Sequence, residues 1–195
     1  MGNLVKAKVT IVGTRPLMWH AFGPEAMPAD GNRKERQGVA GNDPSEWEQT
    51  VLVTKDGQLY LRGDYVFGCL RNASAFTKRG RGTLQKYVQA TLQVVEDRVL
   101  TNRKMPDKLT NDPDEPVYLD VRGVRNPATK GRNVRYRVTS SPGWELTFTL
   151  LWDRTIVSQN EMAAILQDAS TLVGLGDGRS IGMGRFTVIG FEVEG

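Results

Sequence analysis

Residues Gly174 to Phe186 read GLGDGRSIGMGRF, five glycines in thirteen positions. Glycine at that density lets backbone amides approach a ligand, or lets the chain turn with positive φ. The flanks decide what kind of fold holds it. Upstream, Ser158 and Glu161 stand at capping-box spacing, and Met162, Ile165, Leu166, Ala169 and Leu172 recur on one predicted helix face. Downstream, Arg185 to Val193 reads as a last strand. A phosphate-binding P-loop needs a lysine that is missing here, and a dinucleotide loop must follow a first strand and open a helix. This loop does the reverse, so no cofactor is expected. Its functional reading is phosphate contact through backbone amides, Arg179 and Arg185; its structural reading is a loop that packs the final strand.

Working outward, Trp144, Leu146, Phe148 and Leu150 alternate at period two after the turn Ser140-Ser141-Pro142-Gly143. Val134, Tyr136 and Val138 alternate with Arg135 and Arg137, which predicts a strand with one apolar and one basic face. Val5 to Val12 is a first strand closed by Gly13, and Thr14 to Met27 reads as a short helix broken at Pro24. Gln49 to Val53 and Gln58 to Leu61 flank Asp56-Gly57, a hairpin signal. Asp64 is placed to cap a helix with Val66, Cys69, Leu70 and Ala73 inward. Thr83 is placed to cap another with Leu84, Tyr87, Val88, Thr91 and Val95 on one face. The fold class expected is α+β, an antiparallel sheet with about three helices and a closing strand–helix–strand unit. A single domain over residues 1–195 is expected, with a polar, mobile loop over residues 28–44.

The charge balance is nearly even, 26 Lys and Arg against 22 Asp and Glu, so net charge alone says little about partners. Its distribution says more. Tyr65 to Val95 contains no acid and carries Arg71, Lys78, Arg79, Arg81 and Lys86. Val121 to Trp144 again contains no acid and carries Arg122, Arg125, Lys130, Arg132, Arg135 and Arg137. Two windows of one sign predict basic surface patches, the electrostatic footprint of a polyanion partner. Arginine dominates, and its planar fork suits phosphate. With Arg62 from the middle segment, the candidate nucleic-acid-binding residues are Arg62, Arg71, Lys78, Arg79, Arg81, Arg125, Lys130, Arg132, Arg135, Arg137, Arg179 and Arg185.

Enzyme readings weigh less. One histidine and one cysteine exclude zinc sites built on two histidines and any internal disulfide, and no metal site is expected. His20 is the only histidine available for acid–base chemistry, and Asp30 and Asp43 lie in the long loop; these three are weak catalytic candidates. There is no nucleophile elbow. No cleavable leader and no apolar run of membrane-spanning length is evident, which predicts a cytoplasmic protein without membrane contact.

Two segments together carry a family resemblance. Tyr60-Leu61-Arg62-Gly63-Asp64-Tyr65, continuing to Phe67-Gly68-Cys69-Leu70-Arg71, resembles the PGSSLKGxLR element of the RAMP superfamily of CRISPR-associated RNA-binding proteins, with Arg62 at the proline position. Gly176 to Phe186 resembles that superfamily's GxGRSxGxGRF loop, and the two occur in the expected order. Similar layouts occur in phage and mobile-element proteins. The resemblance implies a modified ferredoxin-like (RRM-like) sheet with helices on one face and a glycine-rich C-terminal loop. It further implies RNA held across that sheet, and head-to-tail assembly with copies of itself and other subunits of a ribonucleoprotein. Relatives that cleave RNA make an endoribonuclease the alternative; a phage structural or interaction protein is another.

Overall fold

The computed structural model describes residues 3–21, 43–125 and 130–194. The chain runs β1 (Leu4–Gly13), β2 (Leu17–Met18), α1 (Glu46–Thr50), β3 (Gln58–Arg62) and α2 (Gly63–Ala73). A small hairpin of β4 (Lys78–Arg79) and β5 (Gly82–Thr83) leads to α3 (Gln85–Thr91), β6 (Gln93–Val94) and β7 (Arg98–Lys104). Then follow β8 (Val117–Arg125), β9 (Arg132–Ser140), β10 (Glu145–Asp153), α4 (Gln159–Asp168) and β11 (Phe186–Glu194). The main sheet has the order β11-β1-β10-β7-β3, each strand antiparallel to its neighbours, with β6 added antiparallel beside β10. β8 and β9 form a separate long hairpin with β2 on its other edge.

Alternation builds the sheet's two faces. Ala7, Val9 and Ile11 of β1, and Leu146, Phe148, Leu150 and Trp152 of β10, are buried, while Lys6, Lys8, Glu145 and Thr147 between them are exposed. Helices cover the apolar face: Val66, Cys69, Leu70 and Ala73 of α2, and Met162, Ile165 and Leu166 of α4, join the same buried cluster. Each fully buried side chain of this size contributes about 1.5–3 kcal/mol, so the common layer dominates the stabilisation. The tryptophans bring a polar handle. Trp19, Trp144 and Trp152 are buried, and their indole N–H groups donate to the carbonyls of Tyr60, Arg15 and Val157, each at 2.8 Å. The opposite face carries mixed charge, with Lys6 paired to Glu194 at 3.5 Å.

The α+β class and the antiparallel sheet are as read from the sequence; several local expectations are corrected. Leu17 and Met18 form a strand within the segment read as helical, and the rest of that reading, from residue 22, lies outside the described residues. Glu46–Thr50 is a helix where Gln49 to Val53 was expected to begin a hairpin strand; only a single bridge, Val53 to Leu59, remains of that pairing. Asp64 falls inside the first turn of α2, whose N-cap is Arg62, and Thr83 belongs to β5, leaving Leu84 as the N-cap of α3. The capping box at Ser158 and Glu161 is present in both directions. Leu172, expected inward, is exposed because Ala169–Val173 continues α4 as a π-helix and changes the angular phase. The loop at 28–44 and Asp30 fall outside the described residues except for Asp43 and Pro44. No described helix is long and apolar enough to cross a membrane.

Candidate nucleic-acid interface

The stretch after β1 fastens two distant parts of the chain together. On one side β2 pairs with β9, placing Leu17 opposite Ser140 and Met18 opposite Thr139. On the other, the Asp177 amide donates to the Met18 carbonyl at 2.9 Å and the Gly184 amide to the Pro16 carbonyl at 2.7 Å. The glycine loop is built for this contact. Gly176 has φ +72°, and a Cβ there would lie 2.6 Å from the Met18 carbonyl oxygen; Gly184 has φ +68°, and its Cβ would lie 1.8 Å from the Leu175 carbonyl oxygen. Neither position accepts a side chain without moving backbone. Arg137 of β9 completes the fastening through an ion pair with Asp177 at 2.7 Å.

Two cavities open along this junction. The larger, about 780 Å³, lies between an apolar wall of Phe76, Leu172 and Ile181 and the hairpin residues Arg122, Arg125 and Arg137. The smaller, about 280 Å³, is lined by His20, Tyr65, Gly68 and Arg71. Asn72, Asp177 and Arg179 line both, so the two make one groove. The two segments that carry the sequence resemblance, α2 and the glycine loop, therefore form opposite banks of it.

Its charge is less than a count of arginines suggests. Arg122 is held bidentately by Asp120, and Arg137, 8% exposed, makes a single ion-pair contact from its Nε to Asp177. Arg71, Arg125 and Arg179 have no acidic partner within ion-pair distance among the described residues; Arg71 donates only to the Asn72 side chain, at 3.2 Å. Burial holds His20 below the ordinary histidine range, with Asp177 and Glu46 opposing and Arg137 and Arg135 reinforcing the shift. The imidazole is therefore neutral near pH 7. Burial also pushes the Cys69 thiol up to about 12, which makes it an inert core group.

The other sequence candidates are placed elsewhere or are engaged. Arg62 pairs with Asp64 and lies over the Tyr65 ring at 5.5 Å. Lys78, Arg79 and Arg81 sit on the β4–β5 hairpin, where Arg79 binds Glu161 at 2.6 and 3.0 Å, the Ile156 carbonyl at 2.8 Å and the face of Tyr87 at 4.6 Å. Arg135 pairs with Glu46 of α1. Both arginines of the basic face expected on β9 are thus met by acids, Arg135 by Glu46 of α1 and Arg137 by Asp177 of the glycine loop. Arg125 and Arg132 face each other across the hairpin near its tip, beside Lys130, and all three are exposed. Arg185 lies half-buried just before β11, and its carbonyl accepts from Thr14 and Arg15. Asp43 accepts from the amide and hydroxyl of Ser45, at 2.9 and 2.7 Å, as a turn residue would. No group of three acidic, histidine or cysteine side chains suited to a metal ion occurs among the described residues.

Sequence reasoning missed Tyr65, Phe76, Leu172, Asp177 and Ile181 as groove residues. Asp177 was findable, as the only acid within the glycine loop; Leu172 was not, because the π-helical turn that exposes it leaves no mark in the apolar period.

No family model and no curated protein matches the chain. Among solved structures, the chain is similar to one in the cryo-EM structure of the Type III-B Cmr-beta bound to cognate target RNA, at 13% sequence identity and a TM-score of 0.48. The match covers 97% of this chain and 60% of that one, so this chain spans less than two thirds of its length.

Proposed function

We propose that the protein is a non-catalytic RNA-binding, or single-strand-binding, subunit that holds the strand in the groove between α2, the glycine loop and the β8–β9 hairpin. The observation that carries the reading is Arg71, Arg125 and Arg179: three guanidinium groups without acidic partners among the described residues, from three separate segments, around one groove. The exposed face of the main sheet carries mixed charge, with Lys6 paired to Glu194, and this reading places the strand in the groove instead. The scaffold is read as ferredoxin-like. β11-β1-β10-β7 is one four-stranded run in which α2 lies between β1 and β7 in sequence and α4 between β10 and β11. Together with the two RAMP-like segments, this supports a role as one subunit of a ribonucleoprotein, assembled with copies of itself and other chains.

The test is fluorescence anisotropy of the nuclease-treated protein with labelled single-stranded RNA, DNA of the same sequence and the corresponding duplex. Binding should be tightest to a single strand, should weaken as salt rises, and should return the oligonucleotide uncut. Absence of binding to all three at low salt overturns the reading, and cleavage transfers it to the endoribonuclease alternative.

A further inference from the structure

Among the described residues, Gly68 meets no packing need for a glycine. It sits in the middle of α2, where glycine is less favourable than alanine, yet its φ is not positive and a Cβ added there would meet no atom of the described residues within 4 Å. Neither backbone conformation nor packing asks for glycine at this position. What the missing side chain does is open the smaller recess of the groove. Tyr65, Gly68, Arg71 and Asn72 recur at three- and four-residue spacing on one face of α2 and all line that recess, so Gly68 is a notch between Tyr65 on one side and Arg71 with Asn72 on the other. Across the notch stand His20, Asp177 and Arg179. A recess of about 280 Å³ lined by the side-chain-free Gly68, the Tyr65 ring and hydrogen-bonding groups that include Asp64, Asp177 and His20 suits a flat heteroaromatic group with polar edges.

Resting on the reading of the groove as a single-strand site, we propose that the Gly68 notch receives one unstacked nucleobase of the bound strand. The base lies against the α2 backbone beside Tyr65, its polar edge meets His20 and Asp177, and Arg71 and Arg179 hold the flanking phosphates. The strand is thereby gripped by a base as well as by its backbone, which a duplex cannot offer.

The test uses Gly68→Ala and Gly68→Leu with two probes, a natural single-stranded oligonucleotide and the same length built of abasic nucleotides. Gly68→Ala should raise the melting midpoint by about 2–4 °C, since it adds helix propensity at no packing cost. Gly68→Leu should weaken the natural strand by about tenfold, the scale of one lost base–aromatic contact, and leave the abasic strand unchanged. Equal weakening of both probes overturns the proposal in favour of a backbone contact, and no weakening of either overturns it outright. If wild-type protein binds neither probe, the broader reading of the groove fails instead. A fall in the melting midpoint for Gly68→Ala would show that glycine is required by the fold and would also end the proposal.

Discussion

Replacing Arg71, Arg125 and Arg179 together with glutamine separates groove binding from general basicity. A single strand releases about 0.7 counterion per phosphate neutralised, so three such contacts account for about two units of the log-affinity against log-salt slope. Between about 50 and 200 mM salt the wild-type protein should therefore lose about 20-fold more affinity than the triple variant. The control is Arg79→Gln. Arg79 is as basic in sequence, but Glu161 already neutralises it and Tyr87 covers its face, so its removal should leave the slope unchanged. Anisotropy titrations at four or five salt concentrations give both slopes. Arg125 and Arg179 are exposed, and Arg71 makes only one side-chain hydrogen bond, so urea midpoints should stay near wild type. An unchanged slope in the triple variant would refute the groove. Equal flattening by Arg79→Gln would move the contact surface to the β4–β5 hairpin.

Gly184→Ala should destabilise the fold by more than about 2 kcal/mol in urea titration, because it adds the left-handed penalty to a contact with the Leu175 carbonyl that only a backbone shift relieves. Arg137→Gln leaves Asp177 without its partner and should cost about 2 kcal/mol, part of which Asp177→Asn in the same chain restores; simple additivity in that cycle would show that the pair does not fasten the hairpin. Hydrogen bonding from Arg79 holds Glu161 at about 2, below the ordinary 4.5, so the unfolded chain takes up the proton first. The stabilisation is complete above about pH 4.5 and is lost as pH falls toward 2; after solvent screening it is about 1 kcal/mol, and Arg79→Gln should flatten that limb of the stability curve. His20, held below its ordinary 6.5, works in the same direction at higher pH: stability present above 6.5 should fall as pH drops below it, and His20→Gln should remove that slope.

Elements set by local chemistry were legible in the sequence. The capping box at Ser158 and Glu161, the period-two strand at Trp144 to Leu150 and the inward face of α2 all depend on residues within a few positions of one another, and each is present as read. Where a distant segment decides the outcome, the reading failed. Glu46–Thr50 runs into the β-branched stretch Thr50 and Val51, which reads as strand, yet the segment is helical and Glu46 meets Arg135 and the Tyr136 amide on β9, 89 and 90 residues away. Thr83 has the chemistry of a cap, but it pairs with Lys78 instead, so the helix starts beyond it. Propensity weighs one segment at a time and cannot see such competitors.

Charge obeys the same distinction, and it decides how the function is read. Taken alone, the two acid-free windows advertise a broad basic surface. In the folded chain, acids from outside those windows reach into them: Glu161 to Arg79, Asp120 to Arg122, Glu46 to Arg135 and Asp177 to Arg137. These four arginines join α4 to the β4–β5 hairpin, brace β8, and tie β9 to α1 and to the glycine loop. A guanidinium that already faces a carboxylate attracts a phosphate weakly, since binding the second anion means giving up the first. The long-range field that a nucleic acid meets is therefore the remainder after pairing, and in the groove that remainder is Arg71, Arg125 and Arg179. The windows predict a polyanion partner, but they name more residues than the fold leaves available, because sequence shows where charges stand along the chain and folding determines which of them are already answered.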